Sequence, residues 1–414
     1  MRAASDIPAL ARDPAAAMVA YNADRLGFLL RTARQLGPVV RLWSGLIMVT
    51  GTGEVNDVLR QTDRLFLNDR NFLLRKSVHR PGSPELAEWR ARRRAALAAM
   101  TPAMLAGHQT WLAGRAELLT DDLLRQRTTP DVTATLERLT SASIARFCFG
   151  SRNADGVPAA AQEMLDALFP IFASPFEFPG YLRLVQPREW RARRRLNMLR
   201  AQLHASLTGA GAGGLADVLG SRQLDEQSAV SLLVSMHLAA HGVPAAALSW
   251  ALVELARNPD QQELAAAAAL SWDGSGPIPA VLGWLVDETL RVWPPSWIAD
   301  RVTEEEATCG SWRIPAGFRV LLPFWVIHRV AGCNAPEIFD VRRWKDLTPP
   351  PGSYVPFGGG PRWCLGARFA HAEMTTILAV LLRHTQLSLR GQVRPDARRT
   401  LTPRGYELFV TPRQ

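Results

Sequence analysis

The segment 355–374, VPFGGGPRWCLGARFAHAEM, narrows the choice of fold more than any other stretch of the chain. It sets one cysteine, Cys364, in a glycine-rich loop and follows it at once with an apolar helical pattern over 367–384. A helix N-terminus offers unpaired N–H groups and a partial positive charge, so a cysteine just ahead of it is biased toward the thiolate that binds metal. Gly358, Gly359, Gly360 and Gly366 have no Cβ, which lets backbone approach the sulfur and a bound cofactor. N–H groups aimed at the sulfur would tune the potential of the metal. Arg362, two residues before the cysteine, is placed to pair with a carboxylate. Read as a phosphate loop the segment fails, because no Gly-Lys-Ser/Thr follows it.

The remaining cysteines, Cys148, Cys309 and Cys333, form no CxxC pair and no disulfide framework, which fits a reducing compartment. The net charge is +10, and all the basic residues but Lys76 and Lys345 are arginine. No nucleic-acid motif accompanies that charge, so an acidic protein partner is expected rather than DNA or RNA. No run of eighteen apolar residues marks a membrane span, and MRAASDIPALARD lacks the apolar centre of a secretory signal. A cytoplasmic protein off the membrane is expected.

A chain of 414 residues favours two or three domains on length alone. Its pattern argues otherwise. Residues 36–51 read as strand, turn, strand, and about 52–272 is mainly helical. Breaks fall at 80–85, 151–158, 172–180 and 208–216. A helix over 281–293 stops at Pro294-Pro295. Short strands follow over 298–325, turning at Pro315-Ala316-Gly317, and a β-like tail ends the chain. No linker divides it, so a single domain over 1–414 is expected, mainly α with a small β portion. Gly209, Gly211 and Gly214 match a dinucleotide fingerprint in spacing, but a helical pattern precedes them and no acid lies at the right distance. They read as a flexible interhelical loop.

Phe357, Gly358, Gly360, Arg362, Cys364 and Gly366 together resemble the haem-binding loop of the cytochrome P450 family. Three further segments agree. Glu288 and Arg291, one helical turn apart, resemble the family's Glu-x-x-Arg helix, and Arg343 in FDVRRW is similar to its second arginine. Trp89 and Arg93 resemble the Trp-x-x-x-Arg helix that holds a haem propionate, and Arg301 resembles another propionate-binding arginine. The resemblance implies the cytochrome P450 fold, haem b (iron protoporphyrin IX) as cofactor, Cys364 as the iron ligand, and a structural role for the Glu288 trio.

The chain departs from the family in the long helix expected over the distal side of the haem. The stretch MHLAAHGVPAAALSWAL (236–252) aligns with the family's Ala-Gly-x-Glu/Asp-Thr. Ala239, Ala240 and His241 fall on the first three positions, Gly242 replaces the acid, Val243 replaces the threonine, and Pro244 follows. Valine has no hydroxyl and glycine no side chain, so neither relays a proton. Pro244 lacks an N–H, which deprives the Ala240 carbonyl of its helical partner and predicts a bend. Ala240, Gly242 and Val243 are therefore the candidate catalytic positions, with protons drawn from water or substrate. His241 is expected to point away from the haem.

These readings imply oxidation of a small organic or peptide-derived substrate, as hydroxylation or oxidative ring or cross-link formation, in secondary-metabolite biosynthesis. Dioxygen and a separate ferredoxin or flavodoxin with its reductase are implied, steered by surface arginines at Arg368 and 90–94. A monomer is expected. The altered distal helix keeps open a haem-thiolate isomerase, lyase or peroxygenase, and a non-enzymatic haem-binding protein is a third possibility. Pocket walls are expected from 64–84, 165–190, 232–243, 295–299 and 402–406, with Phe169, Phe172, Phe176, Phe178, Trp297 and Ile298 as candidates.

Overall fold

The structure, a computed structural model, describes residues 2–413 apart from 11, 12, 69–79, 130, 173–186, 210, 222, 223, 275 and 333. Side chains at 14, 169–172 and 187–189 also fall outside the description. In chain order the first helices are α1 (Pro14–Ala23), α2 (Arg25–Leu36) and α3 (Thr52–Arg60), and strands β1 (Val39–Trp43) and β2 (Leu46–Val49) lie between the last two. After β3 (Phe66–Leu67) come α4 (Pro84–Ala99), α5 (Pro102–Gln126), β4 (Thr128–Thr129), α6 (Val132–Phe149) and α7 (Gly156–Phe172). Next are α8 (Pro187–Thr208), α9 (Leu215–Ser221), α10 (Glu226–Ala240), α11 (Val243–Arg257), α12 (Pro259–Leu270) and α13 (Ala280–Val292). Strands β5 (Ala299–Thr303), β6 (Ala307–Cys309), β7 (Trp312–Ile314) and β8 (Arg319–Leu322) precede α14 (Phe324–Val330) and α15 (Ala367–His384). Strands β9 (Thr385–Asp396) and β10 (Thr402–Pro412) close the chain.

These elements form two compact units, Met1–Leu86 with Trp284–Cys364, and Ala87–Gly283 with Leu365–Gln414. The boundaries at 86/87 and 283/284 fall inside α4 and α13, so no linker composition marks them.

In the first unit a five-stranded sheet runs β1-β2-β8-β5-β3. The β1–β2 hairpin turns on Ser44-Gly45, where Gly45 takes φ +72°, a left-handed conformation that costs glycine little. Strands β2 and β8 are parallel, β5 is antiparallel to β8, and Phe66 of β3 pairs with Thr303 of β5. Ile47, Val49, Val55, Val58, Leu59 and Phe66 are buried in one core with the inward faces of β6, β7 and β8. The sheet thereby fixes Arg301, on β5, near the end of α3.

The second unit is helical, with a three-stranded β4-β10-β9 sheet. Three of its helices begin at side-chain caps: Thr101 accepts from the Met104 N–H ahead of Pro102, Asp131 from the Ala134 N–H, and Asp225 from the Ser228 N–H. The 209–214 segment lies between two helices, as expected of a loop, but it is tethered: the Ser151 N–H donates to the Ala212 carbonyl (2.9 Å). A Cβ at Gly214 would sit 2.5 Å from the Gly150 nitrogen, so this glycine serves a close backbone approach. The stretch Glu226–Arg257 is long and apolar enough to cross a membrane. It is interrupted at His241-Gly242, and Pro244 to Leu255 are all buried in the protein.

Candidate functional site

Cys364 stands where the sequence places it, three residues ahead of α15, whose N-cap is Gly366. Its N–H donates to the Phe357 carbonyl (2.9 Å), and the Gly358 N–H donates to that of Val355 (2.9 Å), so the loop closes on itself. Gly358 and Gly360 are left-handed, at φ +71° and +59°. A Cβ at Gly360 would sit 2.0 Å from the Leu59 carbonyl oxygen, and one at Gly359 would lie 3.0 Å from a Leu59 methyl. The approach of α3 thus requires glycine at 360 and favours it at 359. At Gly358 a Cβ would meet nothing described closer than 3.9 Å, and at Gly366 nothing within 4 Å, so neither glycine is required by close packing against the described chain. Cys364 is half-buried, whereas Cys148 and Cys309 are buried and burial pushes both of their thiols up, away from the thiolate. Cys333 lies outside the described residues.

Of the three arginines expected at carboxylates of the cofactor, Arg301 and Arg362 come together over a two-residue turn after α3. The Arg362 Nε donates to both carboxylate oxygens of Asp63, at 2.9 and 2.8 Å. The Arg301 Nε donates to the Thr62 hydroxyl (3.1 Å) and its Nη1 to the Asp300 carbonyl (2.7 Å). Burial and the neighbouring Arg362 hold Arg301 below the usual arginine range, offset by Asp300 and Asp63. Neither Thr62 nor Asp63 carries a local sequence signal.

The Glu288 trio forms as expected and is larger. Arg291 is bidentate to Glu288 (2.8 and 2.8 Å), and Arg343 Nε lies 3.5 Å from the same carboxylate. The Trp344 indole N–H (2.9 Å) and the Asp340 N–H (2.9 Å) complete it. Behind it, buried His328 accepts from the Val355 N–H at Nε2 (2.9 Å). Its Nδ1 must then carry the proton and donate to the Arg291 carbonyl (3.0 Å). Burial pushes His328 down to about 3, so it is neutral and ties α13 to the strand of chain leading into the cysteine loop.

In the helical unit the expected bend is a full break. Helix α10 ends at Ala240, Gly242 takes φ +74°, and α11 restarts at Val243 with Pro244 in its first turn. A Cβ at Gly242 would lie 3.1 Å from a Glu137 carboxylate oxygen on α6. Burial, with Asp131 and Asp166 nearby, raises Glu137 above the usual carboxylate range. His241 is held by both ring nitrogens. The Gln162 amide N–H donates to Asp166 (3.0 Å), which leaves the amide oxygen to accept from His241 Nε2. Its Nδ1 then accepts from the Ser141 hydroxyl (3.1 Å), and burial holds the ring neutral. On α4 the Arg93 guanidinium lies 5.6 Å from the centre of the Trp89 ring, so the pair does share a face. Of its neighbours, Arg92 pairs with Glu88 (3.0 Å), and Arg90 and Arg94 are exposed.

Of the pocket candidates, Phe176 and Phe178 lie outside the described residues, as do the side chains of Phe169 and Phe172. Trp297 is buried and Ile298 half-buried.

Among the described residues no three His, Cys, Asp or Glu side chains cluster to hold a metal ion. Arg301 and Arg362, both held at the Thr62–Asp63 turn, suit the two carboxylates of a porphyrin, and a half-buried cysteine suits its iron. The residues fit haem. A protein-family model for cytochrome P450 matches residues 21–410, and the chain belongs to that family, whose cofactor is haem b. A Mycobacterium tuberculosis protein described as putative cytochrome P450 135B1 is 36% identical over 171 residues, 40% of this chain and 36% of that one. Cyclooctatin synthase of Streptomyces melanosporofaciens is 33% identical over 205 residues, 46% of this chain and 44% of that one. The matches span less than half of either relative. The crystal structure of the cytochrome P450DA heme domain superposes with TM-score 0.81 at 19% identity, covering 99% of this chain and 97% of that one. CYP175A1 from Thermus thermophilus superposes with TM-score 0.77 at 24% identity, covering 98% and 100%. Both share the cytochrome P450 fold.

Proposed function

We propose that the protein is a monooxygenase-type haem-thiolate enzyme that oxidises a small organic or peptide-derived molecule in secondary-metabolite biosynthesis. The observation that carries this is the half-buried Cys364 in a self-closed loop ahead of α15, with Arg362 two residues away. Cys364 would ligate the iron, Arg301, Arg362, Trp89 and Arg93 would hold the propionates, and Phe357, Gly358 and Gly366 would shape the sulfur side. Bound there, the haem supplies reduction of dioxygen and oxidation of the substrate, with electrons from a separate ferredoxin or flavodoxin. Exposed Arg90, Arg94 and Arg368 support an acidic donor of that kind.

Ala240, Gly242 and Val243 would line the reacting side. Val243 offers no hydroxyl and Gly242 no side chain, so the chain itself supplies no acid–alcohol relay there. The interrupted helix leaves protons to water or to the substrate, and His241, neutral and held at both nitrogens, acts as an anchor rather than a donor. The name of one relative, a synthase, supports a biosynthetic role. A monomeric cytoplasmic protein of one cooperative domain is part of this proposal.

The same break favours a second reading, an isomerase, lyase or peroxygenase that needs no electron donor. Turnover with and without NAD(P)H and redox proteins separates them. Electron-dependent product supports the first reading, and full activity without a donor overturns it. A spectral-shift screen against a compound library would identify the substrate.

A further inference from the structure

Asp63 is a buried acid set between two buried or half-buried arginines, 3% exposed, in a part of the chain that no motif marks. Its carboxylate faces Arg362 Nε at 2.8 and 2.9 Å, and the adjacent Thr62 hydroxyl accepts from Arg301 Nε at 3.1 Å while donating to the Val58 carbonyl at 3.0 Å. Two consecutive residues thus hold two arginines far apart in sequence by the same atom, Nε. The turn that carries them is rigid. Asp63 has φ +65°, uncommon for a residue with a Cβ, and its N–H donates to the Phe66 carbonyl (2.9 Å). Phe66 pairs with Thr303 on β5, two residues beyond Arg301, so the turn and Arg301 are fixed in one sheet. A left-handed non-glycine residue persists only where its surroundings over-determine it, often at a functional site.

We propose that Asp63 is a positioning residue for the haem: by gripping Arg362, with Thr62 gripping Arg301, it sets where both guanidinium groups meet the propionates. The proposal rests on the haem-thiolate reading. Its electrostatic logic is separate from simple pairing. Two arginines this close repel each other; Asp300, itself paired with Arg319 at 2.6 Å, offsets Arg301, and Asp63 is the acid that Arg362 engages directly. Without it, the arginines are pushed apart in a poorly solvated site, and the surroundings of the haem become more positive.

The test uses holoenzyme purified as wild type, Asp63→Asn, Asp63→Gly, Arg362→Gln and the Asp63→Asn/Arg362→Gln double variant. Asparagine and glycine both tolerate left-handed φ, so the turn survives while the charge is lost. The reduced CO spectrum, the rate of haem transfer to excess apomyoglobin, and the ferric–ferrous midpoint potential are measured. Both Asp63 variants should keep the thiolate CO band yet lose haem roughly 10–100-fold faster, as when a supporting partner of a metal-site group is removed. The midpoint potential should rise in Asp63→Asn and fall in Arg362→Gln, because the two changes remove opposite charges. Adding Asp63→Asn to Arg362→Gln should speed haem loss little further. Wild-type haem retention and potential in Asp63→Asn would overturn the proposal, as would full additivity in the double variant. Failure of both Asp63 variants to fold would assign Asp63 to the fold alone and overturn it too. A wild type that showed no thiolate CO band would instead sink the haem-thiolate reading, and the inference with it.

Discussion

Glu288 is fully buried, and each of its carboxylate oxygens accepts at least two hydrogen bonds, from Arg291, Trp344, Asp340 and Arg343. Such a group is tolerated only because every lone pair is used. Glu288→Ala strands Arg291, 3% exposed, without its counter-charge. That should cost about 3–5 kcal/mol and leave little haem-loaded protein, read by urea unfolding and haem content. Normal haem content with lost turnover would place Glu288 in the chemistry instead. Cys364→Ala should abolish the red-shifted Soret band of the reduced CO complex, whereas Cys148→Ala and Cys309→Ala should keep it. Survival of the band in Cys364→Ala would end the assignment of the ligand.

At the scale of elements, the break between α10 and α11 has a definite agent. Pro244 removes one N–H, but the left-handed residue at the break is Gly242, whose position faces Glu137. Gly242→Ala should therefore destabilise the protein by about 1–3 kcal/mol in thermal or chemical unfolding. Restoring an acid with Gly242→Asp would set a second carboxylate against Glu137, whose proton burial already favours. Val243→Thr alone is the cleaner change. If dioxygen is activated, it should shift the split between product and peroxide per NAD(P)H consumed, and an unchanged split would argue against a proton role at 243. His241→Ala strands Ser141 and Gln162 and should lower the melting temperature while product per NAD(P)H holds. A collapse of coupling at unchanged stability would make His241 the donor.

For the molecule as a whole, one buried and one half-buried group of the helical unit set opposite pH windows. Burial pushes Glu373 up to about 8, against a lowering from the Ser143 hydroxyl. Burial and then Arg146 push His108, whose Nε2 lies 2.9 Å from the same hydroxyl, down to about 4. The folded pKa of Glu373 exceeds its unfolded value, so its contribution is full below about 4.5 and is lost as pH rises toward about 8. His108 is the reverse: its contribution is present above 6.5 and lost as pH falls through about 4. Glu373→Gln should flatten the decline of melting temperature between those limits on the alkaline side, and an unaltered profile would show that Glu373 does not titrate there. The two compact units are interleaved in sequence, with boundaries inside two helices. Calorimetry of the holoenzyme should show one transition, and two resolved transitions would refute the single cooperative domain.

The elements legible in the sequence are those whose signals are local. The apolar pattern over 367–384 matches α15 at Ala367–His384, the Ser-Gly turn locates the β1–β2 hairpin, and Pro294-Pro295 marks the end of α13. Caps, turns and periodicity depend on residues within a few positions of one another. Cys364, Arg362 and Glu288 with Arg291 were legible for the same reason, since each lies in a short motif. Asp63, Thr62, Trp344, His328 and Glu137 were not. Asp63 meets Arg362 across 299 positions, Thr62 meets Arg301 across 239, and Glu288 meets Trp344 across 56. No periodicity spans such separations. The close approach at Gly359 and Gly360 was hidden for the same cause, because Leu59, the neighbour that excludes a Cβ at 360, is brought there by α3. Local patterning determined which segments became helix, hairpin and cysteine loop; the tertiary structure decided which distant side chains hold the buried charges, because a charge taken from water accepts whatever partner the packed chain delivers within hydrogen-bond reach.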